Sequence, residues 1–331
     1  MDEKIKEVIN QYELEIKNVY RARGAYMLDT TQGLRILREF RSTKAKAEMA
    51  QCVKEALRER GVLHTDVYVR NKDGDIVTEN SMGNPYVLRE WYLGEECNLK
   101  DTEDLKAAAG NLAALHNHMY DLLPEKLVFQ SDTASEHLLK HNRELRRVRT
   151  YIKDKKQRNE FELLFLSMFS EFYHEAEEAE SIVLGMDCDA LYEQLEEKQW
   201  LCHGAYNYHN ILMLKQGEMA TTNFEKVHLQ LQVEDLYDFL RKIMEKNNWN
   251  EEYFRIVVDS YQEKRMLSDL ERKILYVNMK YPEKFWKIIN YYFNSKKTWI
   301  SGKNIEKLQG LQQQKSARRA LLEKMPKMLE I

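Results

Sequence analysis

The strand-type periodicity of this chain is concentrated at its N-terminal end. Strand-type runs crowd into the first 93 of its 331 residues, and nearly everything beyond repeats at helical spacing. Residues 16–20, 25–28 and 34–37 read as strands. The last two flank Thr30-Thr31-Gln32-Gly33, a turn with glycine near its end of the kind a hairpin uses, and Gly24 sits where the first run bends into the second. Ala45, Met49, Cys52 or Val53, and Ala56 or Leu57 then recur at helical spacing between a Ser42 start and a Gly61 stop. A second hairpin is expected from residues 67–69 and 76–77, joined by Asn71-Lys72-Asp73-Gly74. One more strand, residues 86–91, closes at Gly94.

After that point Asp101 is placed to cap a helix carrying Leu105, Ala108, Leu112, Leu115 and Met119, and residues 136–181 form two long helical patterns. Two short apolar segments, 201–213 and 220–225, interrupt the helical part and suggest a small hairpin facing a cleft. Beyond residue 235 the pattern is helical again, including the aromatic run Phe285, Trp286, Ile289, Tyr292 and Phe293, which fits a core better than a binding platform. Twelve Gly and four Pro leave few breaks, as long helices require, and exclude collagen-like, linker-like and many-turned all-β architectures. The expected fold class is α+β, with a strand-rich unit over residues 1–93 and a helical unit over 94–331.

Lys plus Arg number 51 and Asp plus Glu 54, a net charge of −3, whereas a chain that grips a phosphate backbone is ordinarily basic. Nucleic acid is therefore not an expected partner. The basic stretches 140–156 and 303–327 interleave with apolar residues at helical spacing and read as solvated helix faces. No run approaches the roughly 18 apolar residues of a membrane span, and Met1-Asp2-Glu3-Lys4-Ile5-Lys6 has no apolar run of signal type. Cys52, Cys97, Cys188 and Cys202 form no CxxC pair, so zinc and thioredoxin chemistry lose their usual signatures and reduced thiols in a cytosolic compartment are expected.

The chemistry-bearing stretch is His203-Gly204-Ala205-Tyr206-Asn207-Tyr208-His209-Asn210, followed by Asn223-Phe224. Isolated His and Asn in such turns usually serve local hydrogen bonding. Here they follow strands, one helix after the third strand, a crossover strand and a helical region. That order resembles the kinase-like fold of aminoglycoside and choline phosphotransferases, and more closely the CotS-type spore-coat family. The resemblance is carried by Arg23-Gly24-Ala25-Tyr26, Thr31-Gln32-Gly33-Leu34, Tyr86-Val87-Leu88-Arg89-Glu90-Trp91, Leu112-Ala113-Ala114-Leu115-His116 and the His203 to Asn210 segment. Asp235-Leu236-Tyr237-Asp238-Phe239-Leu240-Arg241 and the tail from Phe285-Trp286 to Trp299-Ile300 add to it. It implies a protein-kinase-like two-lobe fold, with a small antiparallel N-lobe sheet and a large helical C-lobe.

Phosphoryl transfer in such folds uses a Lys on the phosphates, a carboxylate for the acceptor hydroxyl, and Asn with Asp on Mg²⁺. At the matching positions this chain has Arg38, Ala205 and Asn223, while His203 and Asn210 remain. Arg keeps the charge but not the compact ammonium. A methyl group cannot take a proton, and a neutral amide is a weak ligand for a hard cation. The resemblance thus implies a degenerate loop (His203, Ala205, Asn210) and a vestigial metal pair, Asn210 and Asn223. Arg38, Glu48, Glu90 and Trp91 would mark a nucleotide cleft, with Glu48 the candidate partner of Arg38. Asp235 would orient the loop through hydrogen bonds, its competing role being a surface helix cap. Glu48 or Glu225 could supply a displaced carboxylate, although each reads more simply as a surface glutamate.

The implied function is a catalytically inactive, spore-coat-associated kinase-like protein that needs no cofactor. It would be a structural or assembly component with other coat proteins as partners, located in the mother-cell cytoplasm and the coat. The alternative is an ATP-dependent phosphotransferase, on a small molecule or a protein, with an altered ATP and Mg²⁺ site. A third reading is a sensor that binds nucleotide without turnover.

Overall fold

The computed structural model describes residues 3–22, 24–294 and 302–331. Met1, Asp2, Arg23, Trp299 and Ile300, which entered the sequence reading, lie outside the described residues. Two compact units are formed: Met1–Val128 with Leu195–Asp235 and Ser260–Arg265, and Phe129–Gln194 with Leu236–Asp259 and Met266–Ile331. The change of period at residue 93 falls inside the first of these.

The first unit opens with α1 (Glu3–Ile9), β1 (Ile16–Ala22), β2 (Ala25–Thr30), β3 (Gly33–Glu39), α2 (Lys44–Glu59), β4 (Tyr68–Val69), β5 (Val77–Glu79) and β6 (Pro85–Glu90). The strands make one sheet in the order β1-β2-β3-β6-β4, with β5 also on β6, and every pairing is antiparallel. The β2–β3 hairpin closes at Thr30 opposite Gly33, whose φ of +105° is a left-handed value that glycine adopts without a Cβ clash. Strand alternation then sorts the side chains. Leu28, Leu37 and Leu88 pack with Ile5, Val8 and Ile9 of α1, while Ala25, Met27 and Ile36 pack with Trp91 on the opposite face. Each fully buried aliphatic of this kind stabilises the fold by about 1.5–3 kcal/mol.

Two local expectations are corrected. The N-cap of α2 is Thr43 rather than Ser42, because the Thr43 hydroxyl accepts from the Lys46 amide. Residues 67–77 do not form a paired hairpin. β3 occupies one edge of β6, and β4 and β5 share the other edge end to end, Tyr68 and Val69 facing Arg89 and Leu88, and Val77 to Glu79 facing Val87 to Pro85. The chain between them loops outward, and the Asn71 carboxamide oxygen accepts from the amides of Asp73 and Asp75.

β7 (Glu95–Glu96) and α3 (Thr102–His116) follow, the latter capped by Asp101, whose carboxylate accepts from Glu103 and Asp104 amides. Later in the same unit come β8 (Leu201–Cys202), β9 (Ile211–Met213), β10 (Met219–Thr221) and β11 (His228–Leu229). β10, β9 and β7 form one small sheet, and β11 and β8 another. The expected hairpin of 201–213 with 220–225 is therefore present as β9–β10.

The remaining helices are α4 (Ala134–Asp154), α5 (Glu160–Leu184), α6 (Asp189–Lys198), α7 (Val233–Lys246), α8 (Glu251–Gln262), α9 (Asp269–Lys280), α10 (Glu283–Asn294) and α11 (Gly302–Met328). Capping boxes start α4, α5 and α9 at Thr133/Glu136, Asn159/Glu162 and Ser268/Glu271. In the second unit Phe161, Phe165, Phe169 and Phe172 of α5 pack with Phe285 and Ile289 of α10, so the aromatic run is core. No helix among the described residues is long and apolar enough to cross a membrane. The four cysteines are free thiols.

Candidate functional site

The loop after β8 is held from below by one carboxylate. Asp235, in the first turn of α7 and 3% exposed, accepts from the backbone amides of His203 (2.5 Å) and Gly204 (2.9 Å). Its other neighbour is His116 at the end of α3, with Nε2 3.3 Å away, and Tyr261 lies 2.8 Å from His116 Nδ1. Burial alone would raise the Asp235 carboxyl, but the hydrogen bond and charge of His116, helped by His203, outweigh it and hold the pKa low. Asp235 is thus buried and bonded to the loop, not a surface cap. The His203 ring continues the arrangement: Nδ1 accepts from the Ala205 amide, so Nε2 carries the proton toward the Thr222 carbonyl 3.1 Å away. Burial lowers the His203 pKa, which keeps the ring neutral. Gly204 is required here, since at φ +70° a Cβ would stand 2.2 Å from the Lys226 carbonyl.

Above this base, the polar side chains are taken up by one another. The Ala205 carbonyl accepts from the carboxamides of Asn207 and Asn210, each at 2.8 Å. The Asn210 oxygen accepts from the Asn223 carboxamide at 2.9 Å, and the Asn223 oxygen accepts from Arg89 at 2.9 Å. Asn223 itself is left-handed (φ 74°, ψ 53°), a conformation Asn tolerates better than most residues, and its amide donates to Asp66 at 3.0 Å.

Asp66 leads to a group of charges in which Lys54 and Asp66 were absent from the sequence reading. Its carboxylate is fully buried, accepts from Arg89 at 3.0 Å and lies 3.6 Å from the Lys54 ammonium, which is itself buried. Lys54 also donates to the Asp66 carbonyl at 2.6 Å and stands 3.6 Å over the Tyr68 ring. Arg89 pairs with Glu225, and the Tyr68 hydroxyl donates to Glu225 at 2.9 Å. Burial pushes the Lys54 pKa down to about 8 against the pull of Asp66. Burial works the other way on Asp66, but Lys54 and Arg89 outweigh it and its carboxyl is lowered. Two cations and two anions leave the group near neutrality.

The expected cleft residues are only partly brought together. The Arg38 guanidinium lies 5.8 Å from the Trp91 ring centroid. Glu90 instead accepts from Arg58 at 2.5 Å, with Arg35 at 4.0 Å. Both oxygens of Glu48 engage Arg70 in a half-exposed pair, where the sequence suggested Arg38. Glu225 departs from the surface reading: its side chain is 21% exposed and belongs to the buried charge group. Of the residues missed, Lys54 had a signal. It shares the helical register of Ala47, Ala50 and Leu57, all buried, so a cation on an apolar stripe was visible. Asp66 carried none, because Arg89 and Asn223, its partners, are remote in sequence, and Arg89 was named only as part of the 86–91 segment.

The fit to Mg²⁺ can be judged from these contacts. A hard cation needs several oxygens, preferably carboxylate. Here the Asn210 and Asn223 oxygens already accept from an amide and a guanidinium, and both nearby carboxylates face cations. The Asn210–Asn223 pair as arranged offers Mg²⁺ no free oxygen, while Asp66 Oδ1 is buried without a hydrogen bond, its ion-pair partner Lys54 standing 3.6 Å away.

Comparison with known proteins places this geometry. Residues 5–325 match the family described as spore coat putative kinase YutH. No curated protein matches the chain. Among solved structures, an aminoglycoside phosphotransferase from Alicyclobacillus acidocaldarius is 18% identical, with a TM-score of 0.85 over 98% of this chain and 96% of that one. The AMP-bound spectinomycin phosphotransferase APH(9)-Ia is 12% identical, with a TM-score of 0.64 over 98% and 96%. The amicoumacin kinase hAmiN, in complex with AMP-PNP and Ca²⁺, is 13% identical, with a TM-score of 0.56 over 97% and 92%. The fold is accordingly α+β and kinase-like, an N-terminal antiparallel sheet followed by a large helical part, as the sequence led one to expect.

Proposed function

The chain belongs to the spore coat putative kinase YutH family, and on that premise we propose that it serves the coat as a kinase-like protein without ordinary phosphoryl transfer. In this reading it is a structural or assembly component, made in the mother-cell cytoplasm and joined to other coat proteins. One observation carries the proposal. By the resemblance Ala205 takes the position of the acceptor carboxylate, and the two amides that remain, Asn210 and Asn223, are bonded to the Ala205 carbonyl and to each other. A positioned general base commonly contributes about 10²–10⁴-fold in rate, and none is in place at this position.

Specific observations favour the alternative, an ATP-dependent phosphotransferase with an altered site. The Asp235 scaffold that positions the loop is complete, and Asp66 and Glu225 put two carboxylates beside Asn223. The family's description as putative kinases, and the phosphotransferases and kinases among the solved neighbours, lean the same way. Turnover separates the two. ATP consumption by the purified chain, with Mg²⁺ or Mn²⁺ and candidate acceptors, is expected to equal that of an Asn210→Ala, Glu225→Gln double variant. Consumption that this double substitution abolishes would establish the alternative.

A further inference from the structure

α4 carries the sequence His137-Leu138-Leu139-Lys140-His141, which puts two imidazoles four residues apart on one helix face. Glu283, the first residue of α10, meets them within the second compact unit. Its Oε2 lies 3.6 Å from His141 Nδ1 and 3.9 Å from His137 Nε2, and the two rings are 3.9 Å apart between centroids. One ligand-type atom from each residue falls within 4.8 Å of the other two.

These separations are informative in themselves. A charge-assisted hydrogen bond between imidazole and carboxylate would close to about 2.7–2.9 Å. Bonds of about 2.0–2.1 Å to a tetrahedral ion instead hold neighbouring ligand atoms about 3.3 Å apart. Both Glu283 distances are longer than such a hydrogen bond and lie about 0.3–0.6 Å beyond that metal spacing, and all three ligand atoms fall within 4.8 Å of one another. His141 is 4% exposed and its Nδ1 has no hydrogen-bond partner, an unfavourable arrangement unless something occupies the position.

Neighbouring side chains pack on and bond to these residues. Trp286 stacks on the His141 ring, with planes 16° apart, and its indole N–H donates to Glu144 at 2.8 Å. Lys287 engages the other Glu283 oxygen at 3.0 Å, leaving Oε2 toward the histidines. The His137 side chain is 46% exposed, so solvent reaches the site and can complete the coordination.

We propose that His137, His141 and Glu283 bind a divalent transition metal of the zinc class, tying α4 to the start of α10. Two imidazoles and one carboxylate suit zinc, cobalt, nickel or copper, whereas Mg²⁺ prefers oxygen alone. The site is therefore not the nucleotide metal, and it stands whichever reading of the function holds. Sequence patterning by cysteine pairs pointed away from zinc, and the His-x₃-His spacing on α4 is the signal that reopens it.

The test is calorimetric titration of the full chain, stripped by a chelator, with Zn²⁺, together with the visible spectrum of the Co²⁺ form. One equivalent is expected to bind with micromolar or tighter affinity and to raise the melting temperature, and Co²⁺ is expected to show tetrahedral d–d bands. His137→Ala, at a half-exposed position the fold can spare, should weaken binding by about tenfold or more and remove the thermal response. Glu283→Gln should do the same. Absence of binding to the full chain, or binding that survives both substitutions, would overturn the proposal.

Discussion

Lys54 and Asp66 are each buried out of water, and each makes the other's charge tolerable. Removing one member of such a pair leaves an uncompensated charge and typically costs about 3–5 kcal/mol. Asp66→Asn is thus expected to lose several kcal/mol of stability in urea denaturation, with a loss under about 1 kcal/mol marking the pair as a surface-like one. The pH dependence follows from signs. Lys54 has a folded pKa of about 8 against about 10.4 unfolded, so between those values the unfolded state holds more protons and stability rises with pH. Asp66, whose folded pKa is lowered, contributes stability that is present above the unfolded carboxylate range and lost as pH falls through it. Lys54→Met should flatten the alkaline rise relative to wild type, and an unchanged slope would contradict the assignment. At this scale the sequence was half legible. Lys54 sits in the register of an apolar helix face, but Glu225 looked like a surface residue because Tyr68 and Arg89, its partners, lie 157 and 136 residues away.

Elements were easier to read where one local signal decided them. The β2–β3 turn and the Asp101 cap each depend on residues within four positions of one another. The 67–77 segment was misread because Asp-Gly signals a turn without saying which strand each arm will join. β6 had one edge left open, and both arms took it. The 203–210 loop has its own prediction. Gly204→Ala would drive a Cβ into the Lys226 carbonyl at a left-handed position, so a loss of about 1–3 kcal/mol is expected in thermal or urea unfolding. Stability equal to wild type would show that the loop relaxes away from its Asp235 bonds.

For the whole molecule, the crowding of strand-type runs into the first 93 residues was enough to give an α+β chain with most of its strands first. The packing adds what periodicity cannot. The first compact unit gathers Leu195–Asp235 and Ser260–Arg265 back to the N-terminal residues, since Asp66 meets Asn223 and His116 meets Asp235 and Tyr261. Those returns assemble a kinase-like site in which the Asn210 and Asn223 carboxamides are bonded to the Ala205 carbonyl, to each other and to Arg89. If that mutual bonding governs what the site does, metal should bring nothing to nucleotide binding. Calorimetric titration of the chain with ATP, with and without Mg²⁺, tests this directly. The account predicts either no binding or an affinity that Mg²⁺ alters by less than about twofold. A Mg²⁺-dependent gain of about tenfold, some 1.4 kcal/mol, that Asn223→Ala removes would contradict it.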